Sequence, residues 1–218
     1  MIYLTQLTLN TRCQQVRRDL NAHYEMHRSL LRAFPDHDAG GVKRVLFRVE
    51  PSREDCSPMV LVQSEQEPDW TPLVEMRYAR VDGPRSVDFA VERPASSEGT
   101  VLIRKDDRLR FRLLANPTVK RDGKRHGLLQ ESQQIEWIQR KAASGGFKCE
   151  PLDLDVMSVG RYQSCRRNGS SRSMVSHHAV RFEGVLRVTE PVTFIETIEV
   201  GIGSAKAFGF GLLSIARA

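Results

Sequence analysis

The chain has 218 residues, of which 40% are apolar and 28% charged, a composition that excludes disordered and fibrous classes and leaves room for one large domain or two smaller ones. Lys and Arg exceed Asp and Glu by 33 to 27, a net charge of +6 that favours an acidic partner, with nucleic acid the leading candidate. No apolar run is long enough to cross a membrane, Met1-Ile2-Tyr3-Leu4 lacks the charged flank of a signal peptide, and the four cysteines are scattered without a CxxC pair, so a reduced, cytoplasmic protein is expected.

Alternation of Ile2, Leu4, Leu7 and Leu9 with Thr5, Gln6 and Thr8 predicts a first strand. Asn10-Thr11 then offers capping side chains to a basic amphipathic segment from Gln14 to Phe34, and Asn21 offers a second cap, so a break near Asn21-Ala22 is expected. Pro35 to Gly41 reads as a loop. Val42 to Glu50 and Met59 to Ser64 read as strands joined by a Pro/Ser/Asp-rich connection, Trp70 to Met76 as a short helix, and Tyr78 to Val81 or Val87 to Val91 as the strand that closes the sheet. The order β, α, β, β, α, β is that of a split βαβ unit. A polar, proline-bearing linker follows over Arg93 to Gly99.

The pattern then repeats. Leu109 to Ala115 is a predicted strand, Ser132 to Ala143 a helix with Ile135 and Ile138 inward, and Phe147 to Tyr162 and Met174 to Val188 are long strands. Glu190-Pro191 starts a helix with Val192, Ile195 and Ile198 on one face, and Phe208 to Ile215 is the last strand. The expected fold is α+β, two tandem ferredoxin-like (RRM-like) domains spanning residues 1–95 and 100–218.

Tyr24-Glu25-Met26-His27 is the candidate stretch for chemistry. Residues three apart on a helix share a face, so a phenol and an imidazole converge here as a proton-transfer pair would. The same residues also fit a 4-3-4-3 stripe of Leu20, Tyr24, His27, Leu31 and Phe34, which would bury both as core. A helix break at Asn21-Ala22 would instead place them in opening turns, within reach of solvent. The residues alone leave both readings open.

Three other stretches stand out. Gly201, Gly203, Gly209 and Gly211 surround Lys206 in a segment that matches neither a dinucleotide-binding fingerprint nor a Walker loop, and its Lys-Ala-Phe-Gly-Phe only partly follows an RNA-recognition box. What survives is close backbone approach with a charge at the centre, or else a structural turn. Asn168-Gly169 signals a hairpin whose flanks carry Arg161, Arg166, Arg167 and Arg172, favouring nucleic-acid contact over a solvated edge. Lys120, Arg121, Lys124 and Arg125 form a basic loop suited equally to phosphate or to solvent. Adjacent His177 and His178 have no Cys or carboxylate at metal-ligand spacing, and no metal or cofactor is expected.

Several segments in order resemble the CRISPR-associated endoribonucleases of type I-E systems, the CasE family of Cascade subunits. They are Arg17 to Arg28, Leu46-Phe-Arg-Val-Glu-Pro51, Glu67-Pro-Asp-Trp70, Leu109 to Pro117, Phe182-Glu-Gly184 and the terminal Gly-rich segment. The resemblance implies tandem ferredoxin-like domains, binding of a CRISPR repeat RNA stem-loop, metal-independent cleavage at the 3′ base of the stem, and retention of the crRNA beside other Cascade subunits. Tyr24 and His27 match that family's active-site tyrosine and histidine, and Arg161, Arg166, Arg167 and Arg172 fall in the region of its groove-contacting hairpin. Some members carry an active-site lysine a few residues after the histidine, and this chain has Arg32 in that area.

The implied reaction is attack by the RNA 2′-OH on the adjacent phosphate, leaving a 2′,3′-cyclic phosphate. His27 suits one of the two proton transfers, Tyr24 an orienting donor or acid, and Arg28 or Arg32 the developing negative charge. Lys120 to Arg125 would set the register by phosphate contacts, and Lys206 would add a further RNA contact. Two other readings compete: a non-catalytic RNA-binding or scaffold protein with Tyr24 and His27 in the core, and a nucleotide-binding regulatory domain using the Gly-rich loop.

Overall fold

The computed structural model describes residues 1–34, 41, 44–50, 57–92, 100–168 and 171–218, with the backbone alone described for 164–168 and 171–175. The predicted loop over 35–40, the connection over 51–56, the linker over 93–99 and the turn residue Gly169 lie outside these residues. The chain divides into two compact units, Met1–Asp88 with Lys206–Gly209, and Phe89–Ala205 with Phe210–Ala218.

The first unit contains β1 (Ile2–Leu9), α1 (Gln14–Asn21), α2 (His23–Leu30) running into a 3-10 turn at Leu31–Ala33, β2 (Val45–Glu50), β3 (Met59–Ser64), α3 (Thr71–Glu75) and β4 (Ala79–Ala90), whose last two residues pass into the second unit. The strands are antiparallel in the order β2-β3-β1-β4, which is the ferredoxin-like arrangement. Leu7, Leu9, Val16, Met26, Leu30, Phe47, Val60, Val62 and Leu73 form the core between sheet and helices.

Four sequence expectations for this unit change. The two alternative closing strands are one strand, β4. The register of β1 against β4 shifts between Leu4 and Gln6, a bulge that moves the buried phase by one residue. Leu4 is therefore exposed, while Thr5 is buried and accepts a hydrogen bond from Trp70 Nε1 at 3.1 Å. The capping assignments also change. Asn10 Oδ1 accepts from the Arg12 amide and Asn21 Nδ2 donates to the Arg17 carbonyl, so neither side chain caps a helix start. The break itself is where expected: Ala22 has φ −141° and ψ 81°, separating α1 from α2.

The second unit adds β5 (Thr100–Leu102), β6 (Arg108–Ala115), β7 (Thr118–Arg121), β8 (Lys124–Gly127), α4 (Glu131–Ser144), β9 (Phe147–Asn168), β10 (Ser171–Val188), α5 (Pro191–Val200) and β11 (Leu213–Arg217). Its main sheet runs β11-β6-β10-β9, again ferredoxin-like and antiparallel. Phe147 packs edge-on to Phe194 and tilted to Phe111, and Trp137 stacks on Phe182. The inward face of α5 is Phe194 and Ile198, with Val192 exposed, because the aromatic ring rather than the flanking aliphatics fills the space over Phe147. The last strand starts at Leu213, since Lys206–Phe208 is a 3-10 turn.

Candidate active site and nucleic-acid interface

The break at Ala22 restarts the helical phase, and α2 turns Met26, Ser29 and Leu30 to the interior. Tyr24 is consequently 42% exposed and His27 half-buried, so neither is a core residue on the expected stripe. They occupy adjacent positions on one face of α2. Each is held by an aromatic neighbour: Phe208 lies against Tyr24 with centroids 5.5 Å apart, and Phe47 stacks on His27 at 6.0 Å and 10°.

Phe208 belongs to the Gly-rich segment, whose Lys206–Gly209 stretch is part of the first unit. A Cβ on Gly209, at φ +84°, would stand 3.1 Å from the Phe47 ring that backs His27. Within the second unit, a Cβ on Gly203 would meet Trp137 at 3.2 Å. The close backbone approach read from the four glycines is thus made to the protein's own aromatic rings at these two positions. Gly201 follows the end of α5, the Gly211 amide donates to the Leu114 carbonyl at 2.8 Å, and Lys206 is half-buried at the start of the turn. Phe47 and Phe208 were not among the expected site residues, and Gly209 was expected only as part of the Gly-rich loop, not beside His27. The helical spacing of Tyr24 and His27 contains no signal for them, because they arrive from a strand and from the far end of the chain.

Burial lowers the His27 pKa below its ordinary value of 6.5, which favours the neutral ring at neutral pH. Its Nδ1 is buried with no hydrogen-bond partner among the described residues. Proton exchange is therefore left to Nε2. Arg28 and Arg32 line a groove of about 480 Å³ with Gln15, Arg18, Glu25, Ser29 and Leu31. Glu25 holds Arg18 at 2.6 Å and Arg28 at 3.3 Å, and Arg32 reaches Met76 Sδ at 3.2 Å. Glu25, Arg28 and Ser29 on α2 and Arg32 in the 3-10 turn that follows it line up along the flank of the Tyr24 face.

In the second unit the basic loop is a hairpin. β7 and β8 pair Lys120 with Arg125 and Arg121 with Lys124, turning through Asp122 and Gly123 at φ 50° and 75°. The Asp-Gly turn signal was present in the sequence. All four cations are exposed, and like charges directly opposite each other destabilise a hairpin unless an anion lies between or beside them.

β9 and β10 form the long arm. β6 pairs with β10 only over Val180 to Arg187, whereas β9 pairs with it to Asn168 and Ser171. The arm leaves the sheet at a register shift between Ala179 and Val180. There Asn116, just past the end of β6, takes over from the ladder: its Oδ1 accepts from the His178 amide at 3.2 Å and its Nδ2 lies 3.1 Å from His177 Nδ1. Tyr162 stacks on buried Phe210 at 5.2 Å, and His177 meets the same ring edge-on. Arg161 is exposed opposite His178, Arg167 pairs with Arg172, and Arg166 lies opposite Ser173 in the backbone register.

Fold and site together define a tandem ferredoxin-like protein with a Tyr/His pair on its second helix and basic hairpins on its second unit. The family model described as CRISPR associated protein matches residues 2–217. The chain is 36% identical over 226 residues to the CRISPR-associated endoribonuclease Cse3 of Thermus thermophilus, covering 99% of this chain and all of that protein. It is 31% identical over 206 residues to the CRISPR system Cascade subunit CasE of Escherichia coli, covering 88% and 91%. Among solved structures, CRISPR endoribonuclease Cse3 bound to a 19-nucleotide RNA superposes with a TM-score of 0.82 at 35% identity, covering 99% of this chain and 100% of that one. The chain belongs to the CRISPR-associated protein family, in its type I-E CasE branch.

Proposed function

We propose that the protein is an endoribonuclease that binds the stem-loop of a CRISPR repeat, cuts precursor crRNA at the base of the stem and keeps the product as a Cascade subunit. The observation that carries this reading is the exposed Tyr24 beside a half-buried His27, both backed by aromatic rings, within a family whose named relatives are an RNA endonuclease and a Cascade subunit.

RNA brings its own nucleophile, so the protein aligns groups, moves protons and offsets charge. Neutral His27, through Nε2, takes the proton of the 2′-OH as that oxygen attacks the adjacent phosphorus. The 5′-oxygen leaves with a proton delivered from the site, and a 2′,3′-cyclic phosphate remains. The Tyr24 phenol donates a hydrogen bond to the reacting phosphate, with Phe208 limiting its rotation. Arg28 and Arg32, on the flanking groove, offset the negative charge that builds on the phosphorane.

The arm carrying Arg161, Arg166, Arg167 and Arg172 enters the groove of the stem near its end, where an A-form duplex is more open. Lys120, Arg121, Lys124 and Arg125 hold phosphates and set the register, and Lys206 adds a contact near the active helix. In this reading residues 1–95 carry the chemistry and 100–218 the stem recognition, in the cytoplasm.

The test is incubation with a repeat hairpin in EDTA, beside His27→Ala and a substrate 2′-deoxy at the scissile position. The parent protein is expected to cut the all-ribose RNA and neither control to react. Cleavage of the deoxy RNA, or full activity in His27→Ala, would overturn the mechanism, and failure to bind the hairpin would overturn the RNA reading.

A further inference from the structure

A ring of four polar side chains, Tyr78, Asp19, Gln15 and Ser29, linked by three hydrogen bonds, spans the break between α1 and α2. Asp19, 0% exposed, accepts from the Tyr78 hydroxyl at 2.9 Å through Oδ2 and from Gln15 Nε2 at 2.8 Å through Oδ1. Gln15 Nε2 also lies 3.3 Å from Ser29 Oγ, so that Ser29 is joined to Tyr78 through Gln15 and Asp19. Gln15 and Asp19 sit on α1, Ser29 on α2, and Tyr78 immediately before β4. The ring thus joins both helices to the sheet, at a point two residues beyond His27.

The need for such a tie follows from the break. A continuous helix transmits its orientation through its own backbone, whereas Ala22, at φ −141° and ψ 81°, lies outside the helical region and breaks that continuity between α1 and α2. Met26 and Leu30 anchor α2 by apolar contact, which is non-directional and tolerates small rotations and slides. Hydrogen bonds to a buried carboxylate tolerate neither, because each lost partner leaves a desolvated charge or donor behind. The Tyr78 phenol is 1% exposed and burial beside Asp19 raises its pKa well above the usual range, so it stays a donor. Gln15 and Ser29 also line the groove that holds Arg28 and Arg32, so the ring sits under that groove.

We propose that the Asp19–Tyr78–Ser29–Gln15 ring is a positioning device for the reaction, fixing the rotation of α2 and with it the aim of Tyr24 and His27 at the scissile phosphate. The inference rests on the catalytic reading of His27. Asp19, Tyr78 and Ser29 are buried, and the role proposed for them is exerted through α2 and not by contact with the reacting atoms.

Tyr78→Phe and Ser29→Ala each delete a hydroxyl and keep the packing, and alanine within a helix favours helix formation slightly over serine. Both proteins are expected to fold and to bind a repeat hairpin carrying a 2′-deoxy scissile nucleotide with a Kd within about twofold of the parent. Single-turnover cleavage is expected to fall by roughly ten- to a hundredfold, the scale of a small misalignment of reacting groups. In a His27→Ala background the Ser29→Ala change should cost nothing further, since there is no longer an aimed base to lose. Folded variants that cleave at the parent rate while His27→Ala is inactive would overturn the positioning role alone. Equal losses of affinity and rate would reduce the ring to a general structural element. Full activity of His27→Ala would overturn the catalytic reading on which the inference stands.

Discussion

The ring of Tyr24 rests against that of Phe208, with centroids 5.5 Å apart and planes inclined by 32°. One comes from the N-terminal helical segment and the other from the Gly-rich turn near the end of the chain, yet both lie in the first compact unit. The contact covers one side of the ring of Tyr24, a residue that remains 42% exposed, and so restricts the rotamers open to it.

Replacing Phe208 by alanine should therefore loosen Tyr24 without removing it. An aromatic pair contributes about 0.5–1.5 kcal/mol beyond its area, so the cleavage rate is expected to fall by up to about tenfold. Single-turnover kinetics with saturating protein read this directly, and an unchanged rate would show that Tyr24 is aimed by other contacts.

Gly209→Ala places a methyl 3.1 Å from the Phe47 ring at a backbone φ of +84°. A side chain at positive φ costs about 1 kcal/mol or more, and here the strain is passed to the ring stacked on His27. The expected result is lower thermal stability together with slower cleavage. Gly203→Ala, which presses on Trp137 in the second unit, is expected to lower stability while leaving the cleavage rate of the folded protein near that of the parent.

Burial lowers the pKa of His27 from 6.5, so as a general base it is active in its unprotonated form. The cleavage rate should rise with pH through an inflection below 6.5 and level off towards neutrality. A rate that falls over the same interval would assign His27 the acid role instead.

Stability should follow the same histidines with a related sign. His23 is lowered by burial to about 4, and His27 and His177 are also lowered. Between the unfolded value of 6.5 and those lower folded values the unfolded chain binds more protons, so stability rises with pH in that window. The contribution is fully present above pH 6.5 and is lost as the pH falls towards about 4. Thermal melts across this range check it, and His23→Gln is expected to flatten the dependence.

Removing all four cations of the β7–β8 hairpin should weaken RNA binding and lower the slope of log K against log salt by roughly 3. Cleavage under saturating protein should be preserved, because phosphate contacts position the stem and take no part in the chemistry. An unchanged slope would mean that these cations face solvent in the complex.

The sequence by itself determined the two ferredoxin-like units, because each strand and helix carries its own period and the element order repeats. It also placed Tyr24 and His27 on one helical face and the break beside Asn21-Ala22, both consequences of local spacing. It read Lys120 to Arg125 as a loop despite the Asp-Gly turn, since a hairpin of exposed like charges has no alternating apolar residues to mark its strands. Tertiary structure alone decided that Tyr24 and His27 lie outside the core, because the break at Ala22 resets the helical phase and gives the interior to Met26 and Leu30. It alone brought Phe208 and Gly209 to the same site and gathered Tyr78, Gln15 and Ser29 around Asp19. Those contacts join residues far apart in the chain, and no local period encodes which distant ring or hydroxyl will fill the space beside a helix.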